Sequence, residues 1–214
     1  MTRINIASYQ ALKVSQEDAV LTVMLSNPGK KNAYTPAMGR DLDRLWREVD
    51  YDESIRVVVL TGEGDAFCAG LDLSHLSGDP GSGLKKISKG QTKGTRTRIY
   101  DMLDCETPII AKVRGPAFGL GVNICLAADI GLINYCLPDD ELDEFVANFA
   151  NEVVESAPLA VSWTKLAVNA LLKQLVSGAY ETSVAYDMLS LTTDDVTEGS
   201  EAFLERRKPE FKGR

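Results

Sequence analysis

Two short glycine-bearing segments carry the chemistry that this sequence suggests most strongly. The first, residues 65–73, reads DAFCAGLDL, and the second, residues 114–123, reads RGPAFGLGVN. Each follows an apolar run with strand character, at 57–60 and at 109–113, and each leads into helix-like sequence. Two strand-to-helix turns of this kind can aim two backbone N–H groups at one point, where they stabilise a developing oxyanion without any charged side chain. The pair predicts chemistry at a carbonyl group.

The composition bounds the classes of partner that the chain can have. Its 214 residues suffice for one good core plus an appendage, and 44% apolar with 25% charged residues is ordinary for a globular protein. The net charge of −8 disfavours general binding to nucleic acid or to an anionic membrane, which need clustered Lys and Arg. A local cationic patch for an anionic ligand remains compatible with that charge.

Targeting signals and cysteine chemistry are both weak in this sequence. No apolar run approaches the ~20 residues of a membrane span. The N-terminal residues MTRINIASYQ contain no secretory hydrophobic stretch. We therefore expect a cytoplasmic protein with neither a nucleic-acid nor a membrane partner. The cysteines form no CxxC pair, so neither a zinc site nor a disulfide framework is predicted. They are Cys68, Cys105, Cys125 and Cys136.

The first part of the chain alternates strand and helix signals. A β-hairpin is predicted over 8–26 and a helix from Thr35-Pro36, where a capping hydroxyl precedes proline at the first helical position. Residues 77–96 are rich in Gly, Ser, Lys and Thr and are predicted to form a mobile loop, followed by a helix around 96–104. This alternation predicts an α/β core with a substantially parallel sheet.

After residue 137 the pattern becomes wholly helical. One stripe, formed by Leu142, Phe145, Val146, Phe149 and Val153, predicts a first helix. Further helices are predicted from Pro158 to about 176, over about 179–191 and over about 195–207. We therefore expect an α/β core at 1–137 and a helical region at 138–214. Its apolar faces predict contact with a neighbouring subunit.

Several motifs, taken together and in order, resemble those of one family. They are NPGKKNA at 27–33, RVVVLTG at 56–62 with AFCAGLDL at 66–73, the stretch from Pro108 to Ile130, and Glu198-Gly199 with AFLERRKP at 202–209. They cover nearly the whole chain. On these residues the chain is identified as a member of the crotonase superfamily, the enoyl-CoA hydratase/isomerase family.

The resemblance implies a fold, an assembly and a class of ligand. The family fold is a spiral of ββα turns, and its C-terminal helices build trimers that often pair into hexamers. The family binds acyl-CoA thioesters. We therefore expect an acyl-CoA substrate, a homo-trimer or hexamer, and neither a metal nor a further cofactor.

The resemblance also implies roles for individual residues. Leu71 and Leu120 fall where the family places its two oxyanion-hole N–H groups, and Asn123 falls at a catalytic position. A plainer interpretation is that the glycines only permit tight turns. Ligand-binding positions implied by the family are Lys31, Ala33, Ala69, Gly70, Asp72, Leu73, Gly119, Phe203 and Lys208.

The sequence departs from the family pattern in two places. Asn123 stands where hydratases carry the first of two catalytic glutamates, and an amide cannot act as a general base near neutral pH. A block on the order of fifty residues, two or three strand-and-helix units at usual lengths, is also absent near 130–134. Either the sequence skips a disordered segment or the block is deleted; we expect the first, because deletion would leave neighbouring strands with unpaired backbone. The general acid/base of the family would lie in that block.

Enoyl-CoA hydration is the function that this sequence predicts first. Double-bond isomerisation, thioester hydrolysis and acyl-CoA binding without turnover remain alternatives because of Asn123. A Ser–His hydrolase built on Ser74 and His75 is disfavoured, because no G-x-S-x-G elbow is present. A dinucleotide site at Gly119 and Gly121 is disfavoured because no third glycine follows at the required spacing.

Overall fold

The computed structural model describes residues 4–72, 101–128, 134–190, 193–205 and 207–213. Residues 101–104 are helical, whereas the predicted mobile loop at 77–96 and most of the predicted break at 130–134 lie outside the described residues. The named elements are strands β1 (Leu12–Glu17), β2 (Val20–Leu25), β3 (Val57–Gly62) and β4 (Ile109–Ala111), and helices α1 (Pro36–Asp50), α2 (Leu120–Ala127), α3 (Leu142–Glu155), α4 (Pro158–Ser190) and α5 (Asp194–Glu205).

The four strands form one sheet in the order β1-β2-β3-β4. The hairpin β1–β2 is antiparallel, with Leu12 opposite Leu25, whereas β2–β3 and β3–β4 are parallel. Strand β2 alternates between partly and fully buried residues, while β3 is buried from Val57 through Thr61 because layers cover both of its faces. The predicted α/β core with a largely parallel sheet is confirmed.

Helix α1 covers one side of the sheet and begins as the sequence predicts. The Thr35 hydroxyl accepts a hydrogen bond from the N–H of Met38 (3.1 Å), and Pro36 opens the first turn. The buried carboxylate of Asp41 accepts the backbone N–H groups of Gln10 and Ala11, each at 2.7 Å, which fixes the chain entering β1. The apolar side chains that recur along this helix are buried, namely Met38, Leu42, Leu45, Trp46 and Val49.

Helix α3 packs against β3 through Val146 and Ala150, which meet Val57 and Val59. Ion pairs join its first turn to the end of β4. The Nζ of Lys112 lies 2.9 Å from Asp143, a pair that lowers the pKa of that carboxyl group. Arg114 lies 2.5 Å from Asp139 and 3.4 Å from Asp143. Arg114 opens the second glycine segment, so these pairs hold the entry to that segment, although exposed pairs add little stability.

The chain divides into two compact units. The first comprises Met1–Asp72 with Thr92–Ala170 and contains the sheet, and the second comprises Leu73–Gln91 with Leu171–Arg214. The first unit therefore includes α3 and the first part of α4, both of which fall in the predicted helical region 138–214.

One prediction about the helices is wrong. Helix α4 runs without interruption from Pro158 to Ser190, whereas the sequence predicted two helices separated near 177–178. Ser177-Gly178 does not end the helix because glycine keeps its backbone N–H and costs only about 1 kcal/mol relative to alanine. A proline, which would remove the N–H, is missing there. The last predicted helix, over 195–207, is confirmed as α5.

The two glycine segments cross each other directly after β3 and β4. Cys68 pairs with Ala117 in a parallel bridge, and the N–H of Phe118 donates to the carbonyl of Cys68 at 2.9 Å. At this crossing a Cβ atom on Gly121 would lie 2.4 Å from the carbonyl oxygen of Cys68. No real Cβ approaches a backbone oxygen so closely, so the absence of a side chain at Gly121 is what allows α2 to start beside the first segment.

Replacing Gly121 by alanine should therefore destabilise the fold. Overpacking against backbone costs typically 1–3 kcal/mol, and we expect a loss of about that size in the free energy of unfolding. Urea unfolding followed by circular dichroism measures it. The matched control is Gly29→Ala, because a Cβ there meets nothing within 4 Å. A Gly121→Ala variant with the midpoint of the Gly29→Ala variant would contradict this close packing.

Candidate functional site

In the first glycine segment, the N–H of Leu71 points away from the adjacent residues around Tyr34. Tyr34 and Leu71 form a parallel bridge in which the N–H of Tyr34 donates to the carbonyl of Gly70 (2.7 Å). The N–H of Asp72 donates in turn to the carbonyl of Tyr34 (3.0 Å). In a parallel ladder the residue between these two bonds turns its own N–H to the opposite side. Among the described residues, no carbonyl accepts the N–H of Leu71.

The second glycine segment presents the N–H of Leu120 at a helix start. Gly119 has φ +50° and ψ −117°, a conformation that suits glycine, and Leu120 is the first residue of α2. The next N–H groups are used, since Gly121 donates to Phe118 and Val122 to Gly119. The N–H of Leu120 has no acceptor within the described part of the chain, as the first donors of a helix usually do not.

The residues that precede these two donors touch each other. A Cβ on Gly70, whose φ is +90°, would lie 3.0 Å from the carbonyl oxygen of Phe118 and 4.0 Å from the Cα of Gly119. The structure therefore places Gly70 with Leu71 close to Gly119 with Leu120. Within the described residues both N–H groups lack a carbonyl acceptor, and the Leu120 N–H lies at the start of α2, where the helix dipole favours negative charge.

The side chains around these donors are apolar and exposed. Leu71 is 51% exposed and Phe118 is 62% exposed. Asn123 lies in the first turn of α2, exposed, with its own N–H donating to Gly119 at 3.2 Å. Apolar surface beside the donors strengthens any hydrogen bond that they make, because it reduces competition by water.

The cysteine thiols near the crossing are protonated at neutral pH. Burial raises the pKa of the Cys68 thiol, and burial followed by the neighbouring Cys68 raises the pKa of Cys125 to about 11. A cysteine nucleophile needs a lowered pKa. Neither residue is therefore placed for thiolate chemistry, and both act as small packing residues.

The loop at 27–33 lies along the first glycine segment. The carbonyl of exposed Lys31 accepts the N–H of Ala69 at 3.0 Å. Ala33 is buried. Asp72 is 6% exposed, and both of its carboxylate oxygens lie 2.9 Å from the Nζ of Lys30. Of the predicted ligand-binding positions, the structure thus gathers Lys31, Ala33, Ala69, Gly70, Asp72 and Gly119 in one neighbourhood.

The remaining predicted positions lie elsewhere in the chain. Phe203 belongs to α5 and Lys208 follows it exposed, both in the second unit. Arg207 pairs with Glu198 at 2.5 Å and with Glu205 at 2.6 Å, within its own unit. The hydrogen bond from Arg207, followed by that from the Glu210 N–H, lowers the pKa of Glu198 to about 2. Leu73, Ser74 and His75 lie outside the described residues.

Sequence reasoning missed the residue that ties this neighbourhood together. Asn32 is fully buried, with φ +55°, and its side chain makes bonds to the backbone of Asn27, Glu63 and Ala66. Its position inside the NPGKKNA motif pointed to the family but not to this role. The residue type alone could have indicated a left-handed backbone here, because asparagine adopts that conformation more readily than most residues do.

The described residues contain neither a cluster of metal-binding side chains nor a helix that could span a membrane. No cluster of three or more His, Cys, Asp or Glu side chains able to hold a metal occurs within them. Within the same residues, no helix combines the length and the apolar character needed to cross a bilayer. The cytoplasmic location stays a prediction.

Comparison with known proteins gives consistent matches. A probable enoyl-CoA hydratase of Mycobacterium tuberculosis is 34% identical over 128 residues, which are 58% of this chain and 47% of the relative, so the chain spans about half of its length. The carnitinyl-CoA dehydratase of Proteus mirabilis is 24% identical over 271 residues, covering 96% of this chain and 99% of the relative. An enoyl-CoA hydratase structure from Mycobacterium avium subsp. paratuberculosis shares the fold, with 21% identity, a TM-score of 0.79, and 95% and 99% coverage of the two chains.

The family comparison covers the chain more fully. The sequence model described as enoyl-CoA hydratase/isomerase matches residues 15–133 and, separately, residues 127–214. These two matches overlap at the place where the sequence analysis predicted a missing block. Together they include nearly all of the chain, and both glycine segments lie in the first match. The predicted resemblance is confirmed, and the chain belongs to the enoyl-CoA hydratase/isomerase family.

Proposed function

We propose that this chain acts on acyl-CoA thioesters and stabilises a thioester enolate between the N–H groups of Leu71 and Leu120. The observation that carries the proposal is the pair of donors that find no carbonyl acceptor among the described residues, on segments that approach each other at Gly70 and Gly119. Family membership supports the acyl-CoA substrate class. The preferred reaction is hydration of a 2-enoyl-CoA.

The chemistry follows from where charge develops. When water adds to the β-carbon of a 2-enoyl thioester, it loses a proton to a base and the double-bond electron pair moves between the α-carbon and the carbonyl carbon. The carbonyl electron pair moves onto the thioester oxygen, which forms an enolate. Two N–H donors aimed at that oxygen stabilise it more than they stabilise the neutral carbonyl, so they lower the barrier. Removing one such donor costs ~3 kcal/mol or more. Protonation of the α-carbon then completes the addition.

Coenzyme A binding would use the neighbourhood of the 27–33 loop. The proposed contacts in the first unit are Lys31, Ala33, Ala69, Gly70, Asp72 and Gly119. Leu73, Phe203 and Lys208, which the resemblance implies, belong to the second unit and stay predictions. Because the whole chain carries a net charge of −8, the phosphates would depend on the few local cations such as Lys31. Asp72 would act indirectly, since its carboxylate holds Lys30 against the first segment.

The group that moves the proton is proposed to lie in a block that this sequence lacks near 130–134. Two observations support this. The family model matches the chain in two separate pieces, residues 15–133 and 127–214, which overlap over residues 127–133. The Proteus mirabilis alignment runs over 271 positions, whereas 96% of this 214-residue chain supplies only about 205 of them, so about 66 positions have no counterpart. The donors at Leu71 and Leu120 are independent of that block.

Two variants test the oxyanion site. Gly70→Val should abolish turnover of 2-butenoyl-CoA while circular dichroism stays unchanged, because the site requires φ +90° and leaves only 3.0 Å to the Phe118 oxygen. Leu71→Met is the matched control and should keep turnover, since only the backbone of residue 71 takes part.

The outcomes separate the alternatives. Equal activity of the Gly70→Val and Leu71→Met variants would contradict the proposed site. Tight binding of butanoyl-CoA by the wild-type chain without turnover of any enoyl-CoA would favour the non-catalytic acyl-CoA-binding alternative. Migration of the double bond or release of free CoA would favour the isomerase or the thioester hydrolase.

Asn123→Ala tests whether the amide takes part in the transition state. We expect kcat for 2-butenoyl-CoA to fall about tenfold with little change in KM, because one lost hydrogen bond to a charged group is worth about 1.5 kcal/mol or more. The control is Asn151→Ala, an exposed asparagine on α3. If both variants keep the wild-type kcat, Asn123 is a plain polar residue of the helix.

We also propose that the chain forms a homo-trimer or hexamer, with α4 contributing to the contact. Leu159 is 60% exposed and Trp163 is 62% exposed on successive turns of this helix. Ala167 and Ala170 continue the same face, also exposed. An exposed apolar stripe of this kind is typical of an interface.

Charge placed on this stripe should weaken the assembly. We expect Trp163→Glu to shift sedimentation at micromolar concentration from trimer toward monomer. Tyr51→Glu is the control, because Tyr51 is 79% exposed and lies just after α1. A wild-type chain that sediments as a single monomeric species would overturn the proposal.

A further inference from the structure

We infer that Asn32 is a positioning residue that sets the direction of the Leu71 N–H. The inference rests on the proposed function, because a fixed N–H matters for turnover only if it binds the thioester oxygen. Asn32 does not touch that oxygen in the proposed site. It acts through the turn that joins β3 to the first glycine segment.

This turn is closed by the Asn32 side chain. The Nδ2 group donates to the carbonyl oxygens of Glu63 and Ala66, each at 2.8 Å. The turn between them is tight, since Gly64 has φ +76° and a Cβ on Gly62 would lie 2.2 Å from the Ala66 oxygen. Both N–H donors of one amide therefore hold the two ends of the turn at a fixed separation.

The position of that amide is itself fixed. Asn32 has φ +55° beside Lys31 at φ +48°, so two consecutive residues adopt the left-handed conformation. Its Oδ1 accepts the N–H of Asn27 at 3.0 Å, and the residue is fully buried. Two donors and the acceptor of the side chain are thus all used. Aspartate has no N–H to offer the two carbonyls, and serine has only one donor, so asparagine fits this place uniquely among short side chains.

The backbone on either side of Asn32 pairs with the first glycine segment. The carbonyl of Lys31 accepts the N–H of Ala69 (3.0 Å), and Tyr34 bonds to Gly70 and to Asp72 at 2.7 and 3.0 Å. Residues 31–34 therefore run alongside residues 69–72, and their hydrogen bonds flank Leu71 on both sides. A shift of residues 31–34 would rotate or displace the Leu71 N–H. Misplacement by about 1 Å at a reacting group costs on the order of 10²-fold in rate.

The test compares Asn32→Ala with Asn169→Ala. Asn169 is the matched control, because it is equally buried, at 1% exposed, and its amide also donates to a backbone carbonyl, that of Leu103, at 3.0 Å. We expect Asn32→Ala to lower kcat for 2-butenoyl-CoA about 100-fold with KM changed less than about threefold. Asn169→Ala should keep the wild-type kcat even if its melting temperature falls equally.

A spectroscopic readout separates positioning from general destabilisation. Butanoyl-CoA labelled with ¹³C at the thioester carbonyl reports polarisation through its infrared stretching frequency. Bound to the wild-type chain and to Asn169→Ala, the band should move to lower frequency, and bound to Asn32→Ala it should move back toward the value in water. If Asn32→Ala keeps the full shift and the wild-type kcat, the role of Asn32 is overturned while the oxyanion site stands.

A second variant keeps the inference testable if Asn32→Ala does not fold. Asn32→Asp has the same size and keeps the acceptor for the N–H of Asn27, but it faces the Glu63 and Ala66 carbonyls with an oxygen. Burial beside two carbonyl oxygens raises the pKa of this carboxyl group. As the pH falls and the acid protonates, it regains one donor, so its kcat relative to wild type should rise. If the kcat of Asn32→Asp equals that of the wild type at every pH, the inference is contradicted.

One outcome overturns the proposed function and this role together. It is a wild-type chain that neither turns over 2-butenoyl-CoA nor shifts the infrared band of bound butanoyl-CoA.

Discussion

The close approach of two backbone turns is the constraint on which the site depends. Cys68 pairs with Ala117, and Gly121 lies against the Cys68 carbonyl with no room for a side chain. These contacts are made by main chain, so they fix the relative position of the turns more tightly than side-chain packing could. The two N–H groups without chain acceptors follow directly from this crossing, since each lies a few residues from it.

Parallel strands make the crossing possible. In a parallel pair both chains leave the sheet at the same edge, so the segments after β3 and β4 necessarily emerge side by side. Helix α3 then covers β3 through Val146 and Ala150, and the pairs of Lys112 and Arg114 hold the chain leaving β4 against its first turn. The parallel strands thus place the two segments side by side, and the contacts of α3 hold them in position.

Sequence patterns predicted the parts of this arrangement that depend on local chemistry. Thr35-Pro36 marked a helix start, and the glycines of both segments marked tight turns, because these effects act within a few residues. The continuity of α4 through Gly178 was not predicted, because helix propensity is weak and the rest of the helix outweighs it. Asn32 was missed because its partners Glu63 and Ala66 lie more than thirty residues away in sequence.

A site made of backbone donors separates two tasks that a side-chain site would combine. In the proposed site, stabilising an enolate would need only N–H groups held in place by the crossing and by residues 31–34. Moving a proton needs a titratable group, and Asn123 is not one. The residues around the donors can therefore vary without loss of enolate stabilisation, whereas the reaction that follows depends on whichever acid or base reaches the α-carbon. In the proposed site, one backbone arrangement is thus compatible with hydration, isomerisation or hydrolysis, and the choice among them rests on Asn123 and on the acid or base rather than on the two backbone donors.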